Sequence, residues 1–231
     1  MTEGSAYTKN EANHYQSYRP PLHQELLEHC LKSKHFETAL DVGCGVGTST
    51  LALTSFCKKV TGYDPSVEMI QKASEHSAIK YYSDLNRLDN HYNLIVFFGS
   101  LFYVNTKQLA FFTQKQRQND VLLCCDFKVN YSTILKALGI SVGLYKYDHA
   151  KNLSSYGDTL YDLLRSERLE TCFTCDRNEV AHLLLSEDAI KYTLGLVNKV
   201  DGLIQQLSDV LEDPKFTLEA TLFYSIYERV S

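Results

Sequence analysis

The chain has 231 residues, 44% of them hydrophobic, which is enough to bury one substantial core and suits a single domain carrying an insertion. Its 23 Lys and Arg stand against 28 Asp and Glu, a formal charge of -5, so no general attraction to nucleic-acid phosphates or anionic lipid is expected. The opening stretch MTEGSAYTKNEANHYQSYRPP holds no apolar run of the signal-peptide kind and no segment is long enough to span a bilayer, so a cytoplasmic chain without a membrane partner is expected.

In chain order, Leu22, Leu26, Leu27, Cys30 and Leu31 recur at helical spacing after Arg19-Pro20-Pro21 and predict a helix over 21–33. Short apolar runs then alternate with helical patterns. Strands are expected over 38–42, 59–63, 79–82, 94–98 and 121–125, with helices over 48–57, 67–74 and 107–117. Such alternation implies parallel βαβ units, because parallel neighbours need a crossover that helices supply. From Asn130 the pattern changes, with helical stretches expected around 131–138, 158–165, 177–185 and 188–211, before a terminal strand over 216–228 rich in Thr, Phe, Tyr and Ile.

The expected fold is therefore α/β and Rossmann-like, a mainly parallel seven-stranded sheet with a helical lid insertion. The single domain divides into a leading segment and helix (1–36), a nucleotide-binding core (37–129), the lid (130–214) and the terminal strand (215–231). Seven cysteines, spread without a small secreted framework, read as reduced thiols. Cys172 and Cys175 form a C-x-x-C spacing, yet no second pair or neighbouring His completes four ligands, so no metal is expected.

The chemistry concentrates in Leu40–Gly47, L-D-V-G-C-G-V-G, where the first strand should turn into a helix. Glycines there let the backbone approach a ligand, and the N–H groups of the following helix favour polar or anionic groups. The spacing of Gly43, Gly45 and Gly47 is G-x-G-x-G, which departs from the G-x-G-x-x-G fingerprint of pyrophosphate-binding loops. Asp41, two residues before the first glycine, would repel a pyrophosphate but suits a cationic ammonium, which favours S-adenosylmethionine over a nicotinamide cofactor. Asp64 closes the second strand at about the separation expected of a ribose-binding carboxylate, and it also stands where a cap for the next helix would be.

These segments, ALDVGCGVGTST, VTGYDPSVEMI and YNLIVFFGSLFYV, resemble the class I S-adenosylmethionine-dependent methyltransferase family over about Tyr15–Phe127, and YQSYRPP resembles the leading segment of its trans-aconitate methyltransferase-like branch. The resemblance implies that Asp41 and the Gly43–Gly47 loop hold the methionyl end of the cofactor and Asp64 its ribose. It also implies Met69 near the adenine, Asp84 and Leu85 at the adenine edge, and Gly99 and Ser100 beside the methionine moiety. The chain departs from the family at Asn93, where Asp is frequent, and at Phe102, where His is frequent. FFGS replaces an Asn/Asp-Pro-Pro-Tyr sequence and no Pro-Cys pair is present, which argues against adenine, glutamine and cytosine-carbon acceptors.

Tyr15, Tyr18 and Tyr103 are candidates to line an acceptor site, since ring faces attract a sulfonium, and each is equally at home in a core. Arg19 is a candidate for a carboxylate of cofactor or substrate, or a solvated helix-start arginine. His149, Asp126, Tyr145, Tyr147 and Tyr156 fall after the fifth strand, where an acceptor would arrive. The functional expectation is methyl transfer to a small-molecule acceptor, with a protein methyltransferase or a non-catalytic S-adenosylmethionine or S-adenosylhomocysteine binder as alternatives. The catalytic residue and the oligomeric state are left open.

Overall fold

The computed structural model describes residues 14, 17–18, 20–141, 147–157, 159–187, 190, 200–211 and 213–230. Helix α1 (Leu22–Leu31) forms because Leu22, Leu26, Leu27, Cys30 and Leu31 make one buried stripe. It ends at Lys32, whose φ is 49°, and Arg165 donates to the free carbonyls of His29 and Cys30 at 2.8 and 3.0 Å.

Then follow β1 (Phe36–Val42), α2 (Thr48–Leu53), β2 (Cys57–Tyr63), α3 (Val67–Ile70), β3 (Ile79–Tyr82), β4 (Leu94–Phe98), α4 (Thr106–Thr113) and β5 (Val121–Val129). The last part holds α5 (Ser132–Ala137), β6 (Tyr161–Asp176), α6 (Arg177–Ser186), α7 (Val200–Val210) and β7 (Lys215–Arg229). Helices α4 and α6 each open on a capping box, Asn105 with Gln108 and Asp176 with Glu179, which satisfies free N–H groups at both starts.

The seven strands form one sheet in the order β3-β2-β1-β4-β5-β7-β6. The first five are mutually parallel, while β7 runs antiparallel to both β5 and β6. One face of the sheet packs α1, α2, α6 and α7 through Leu26, Leu53, Leu184 and Leu207. The other packs α4 and the 3-10 turn Leu153–Tyr156 through Leu109, Phe112 and Leu153. Central strand β4 is buried at every residue because it is covered on both faces. Among the described residues no helix is long and apolar enough to cross a membrane.

The helix expected over 158–165 is corrected: Tyr161 onward is β6, paired with β7 along its whole length. Leu160, Leu163 and Leu164 stand at helical spacing in the sequence but are all exposed, the last two on a strand whose register shifts at a bulge between Leu163 and Arg165. Segment 130–214 therefore supplies an edge strand as well as helices. These leucines fall within the expected lid, but they lie near the pairing of Tyr161 with Arg229, at the end of the sheet opposite the carboxyl ends of the parallel strands. Cys172 and Cys175, three residues apart on β6, face opposite sides of the sheet.

Candidate functional site

The parallel strands end on one edge of the sheet, where the loops leaving it carry Gly43–Gly47, Asp64, Asp84 and Gly99, and Asp126 lies in the last part of β5. Open parallel sheets bind ligands at this edge, where the chain diverges to either side. The glycine loop turns through positive φ at Gly43, Gly45 and Gly47, with values of 75°, 54° and 85°. A side chain at Gly47 would collide with the Tyr81 ring, whereas one at Gly45 would meet nothing within 4 Å. The open side of Gly45 is thus the face on which a ligand has room to approach the backbone.

Asp41 lies under this loop, fully buried. Its Oδ2 accepts hydrogen bonds from Ser49 Oγ and Thr50 Oγ1, each at 2.7 Å, while Oδ1 has no hydrogen-bond partner among the described residues. Burial pushes the Asp41 carboxyl up to about 6, against the opposing pull of the Thr50 and Ser49 hydroxyls. An unfilled buried acceptor is ordinarily met by a ligand donor or an ordered water.

Asp64 braces the loop from the neighbouring strand. Its Oδ2 accepts from Gly45 N and its Oδ1 from Ser66 N, both at 2.9 Å. Burial raises its carboxyl, and the two backbone N–H groups pull it down. The cap of α3 is Ser66, whose hydroxyl accepts from Met69 N at 3.2 Å, so Asp64 serves the loop and Ser66 the helix. Met69 is buried behind them, Asp84 accepts from Asn86 N at 2.9 Å to open the turn Leu85–Arg87, and Leu85 packs against the core. Ser100, buried, donates to the Val42 carbonyl and so ties the end of β4 to the start of the glycine loop.

A second cluster adjoins the first at Gly99, whose φ is 65° and whose added side chain would press on Asp126 at 3.3 Å. Asp126 Oδ2 lies 2.9 Å from His149 Nδ1, and its Oδ1 accepts from Phe127 N at 2.7 Å. Tyr147 donates to the Gly99 carbonyl at 2.6 Å, which pins the segment carrying His149 over the end of β4. Around them the Tyr147 ring lies 4.7 Å from Phe102, 5.9 Å from Tyr103 and 4.6 Å from His149. His149 stacks at 16° over Phe223. Below it a cleft of about 380 Å³ is lined by His149, Lys151, Phe223, Arg168, Ser166 and Ser225.

Tyr103 is 51% exposed within this aromatic group. Tyr18 packs instead against the core beside α6, where burial and then Glu179 push its hydroxyl up. Tyr15, Arg19 and Tyr145 lie outside the described residues. Sequence reasoning missed Tyr81 as the wall behind Gly47 and did not pair Asp126 with His149. Local signals were slight, since Asp126 and His149 are 23 positions apart.

Residues 39–118 match the model of a methyltransferase domain. A Dictyostelium discoideum protein provisionally named a methyltransferase is 32% identical over 71 residues, which are 29% of this chain and 26% of that protein. Among solved structures, a provisionally assigned type II methyltransferase from Anaeromyxobacter dehalogenans superposes with a TM-score of 0.61 at 16% identity, covering 92% of this chain and 98% of its own. A methyltransferase from Geobacter sulfurreducens described as S-adenosylmethionine-dependent, in complex with S-adenosylhomocysteine, gives 0.52 at 11% identity, covering 95% and 98%. The matches carry a methyltransferase domain over residues 39–118 and the fold of the whole, not the trans-aconitate-like branch.

Proposed function

We infer that the chain, whose residues 39–118 match a methyltransferase domain, is a class I S-adenosylmethionine-dependent methyltransferase and that it transfers the methyl group of S-adenosylmethionine to a small-molecule acceptor. The unfilled, fully buried Oδ1 of Asp41 beneath an open glycine carries this reading. A carboxylate there suits a cationic methionyl ammonium, directly or through a water, and opposes a pyrophosphate. Asp64 retains acceptor capacity beyond its two backbone bonds, which suits ribose hydroxyls. In this reading Met69, Asp84 and Leu85 bound the adenine, and Gly99 and Ser100 flank the methionine.

Methyl transfer from a sulfonium is an in-line displacement with a good leaving group, so holding the acceptor in line and excluding water supplies much of the catalysis. The aromatic group of Phe102, Tyr103 and Tyr147 at the Gly99 end of the sheet supports a small acceptor held against ring faces. Calorimetry with S-adenosylmethionine, S-adenosylhomocysteine and a nicotinamide dinucleotide tests the cofactor reading. Micromolar-order binding of the sulfur compounds is expected, and tighter binding of the dinucleotide would overturn it.

A further inference from the structure

The Asp126–His149 pair stands at the carboxyl edge of the sheet, with Asp126 beside Gly99. With Nδ1 donating to Asp126 Oδ2 at 2.9 Å, the neutral imidazole keeps its lone pair on Nε2, which has no hydrogen-bond partner among the described residues. Asp126 is itself oriented by Phe127 N, and Tyr147 fixes the chain two residues before His149 onto Gly99. The order is a base, a carboxylate that orients it, and a backbone anchor beside the cofactor edge. The surroundings are aromatic: Phe102, Tyr103, Tyr147 and Phe223 surround the imidazole or its neighbour.

Resting on the methyltransferase reading above, we propose that His149 is the general base, that Asp126 positions it, and that the acceptor is a phenolic hydroxyl seated against these rings. His149 Nε2 takes the phenol proton as the phenolic oxygen attacks the methyl carbon. An O–C bond forms, the S–C bond breaks with its electron pair passing to sulfur, and S-adenosylhomocysteine and the aryl methyl ether leave. Asp126 stabilises the imidazolium until the proton passes to water. A neutral imidazole matches a phenol better than an aliphatic alcohol, whose proton lies further out of its reach. Phe102, where the family often has His, is thus no loss, because a histidine from a different segment occupies the role.

The test uses the full chain, methyl-labelled S-adenosylmethionine and a set of phenol, catechol and 4-hydroxybenzoate, beside thiophenol and 4-mercaptobenzoate, whose sulfur ionises without help near neutral pH. Transfer to at least one phenol is expected. His149→Gln should lower kcat on that phenol by about 100-fold, with the KM for S-adenosylmethionine unchanged and transfer to the thiols spared. Asp126→Asn should lower kcat on the same phenol by about tenfold and spare the thiols, because the imidazole loses the carboxylate that orients it. A merely structural pair would lower transfer to phenol and thiol alike. Equal losses on phenol and thiol in either variant would overturn the proposal. So would failure of a chain that binds S-adenosylmethionine to methylate any phenol in the set. Failure to bind S-adenosylmethionine at all would instead overturn the reading on which it rests.

Discussion

Asp41 and Asp126 both stand at the carboxyl edge of the sheet, yet they are held in opposite ways. Asp41 is fully buried and tied to two hydroxyls eight and nine positions along its own βα turn. Asp126 is partly exposed and tied to a histidine on an irregular segment 23 positions away, itself anchored by Tyr147 across 48 positions. One half centres on a single close-packed βα turn; the other is assembled from distant pieces around a cleft. Evolving a new acceptor would disturb the second half and leave the first intact.

The largest expected effect falls on the close-packed half. Gly47→Ala places a side chain at φ 85° against Tyr81 and should cost about 3–4 kcal/mol of folding stability, read by urea unfolding. Gly45→Ala meets no neighbour, so it should cost only about 1–2 kcal/mol while weakening S-adenosylmethionine at least tenfold in calorimetry, by about 1.4 kcal/mol. Equal behaviour of the two variants would erase the distinction between a packed and a ligand-facing glycine.

Next comes the pH dependence of Asp41. Its carboxyl rises from an ordinary 3.8 to about 6, so the native chain holds an extra proton across that window. Stability from this group is therefore present below the window and falls by about 3 kcal/mol as pH rises through it. The difference in unfolding free energy between wild type and Asp41→Asn should show this slope and flatten above pH 6. Cofactor affinity should change the other way, rising across the same window as Asp41 ionises to meet an ammonium. An affinity independent of pH there would separate Asp41 from the cofactor.

Asp64→Ala should follow, with about 1.5–3 kcal/mol lost from cofactor binding. Because Asp64 also holds Gly45 N and Ser66 N, thermal stability should fall with it. A drop in melting temperature with unchanged affinity in the folded fraction would confine Asp64 to bracing. The smallest effect is expected at the far end of the sheet. Leu164→Ser, 47% exposed beside the bulge, should shift stability by under about 0.5 kcal/mol and leave transfer kinetics unchanged; altered acceptor selectivity would restore a role for these leucines at the site.

The contrast between the halves also explains what the sequence made legible. The LDVGCGVG turn and Asp64 announce themselves because each is one βα unit with its own spacing, and parallel strands buried on both faces read as continuous apolar runs such as LIVFF. β6 did not, since it is a mostly exposed edge strand without a clean alternation, and Leu160, Leu163 and Leu164 at its start stand at helical spacing. The Asp126–His149 pair was equally hidden, because the loop that joins its members carries no periodicity that reports which residues meet.

One feature of the sheet bears on how the chain reaches this form. β7 lies between β5 and β6, although it follows both in the chain and pairs with β5 across about a hundred positions. A nascent chain released only as far as residue 214 would have β6 without a partner and β5 with one open side. Closure of the sheet must await the segment 215–229, and such long-range pairing is slow because loop entropy is lost before contacts reward it. Until then the charged run Arg165-Ser166-Glu167-Arg168 on β6 would discourage a strand from another molecule from taking the vacant place.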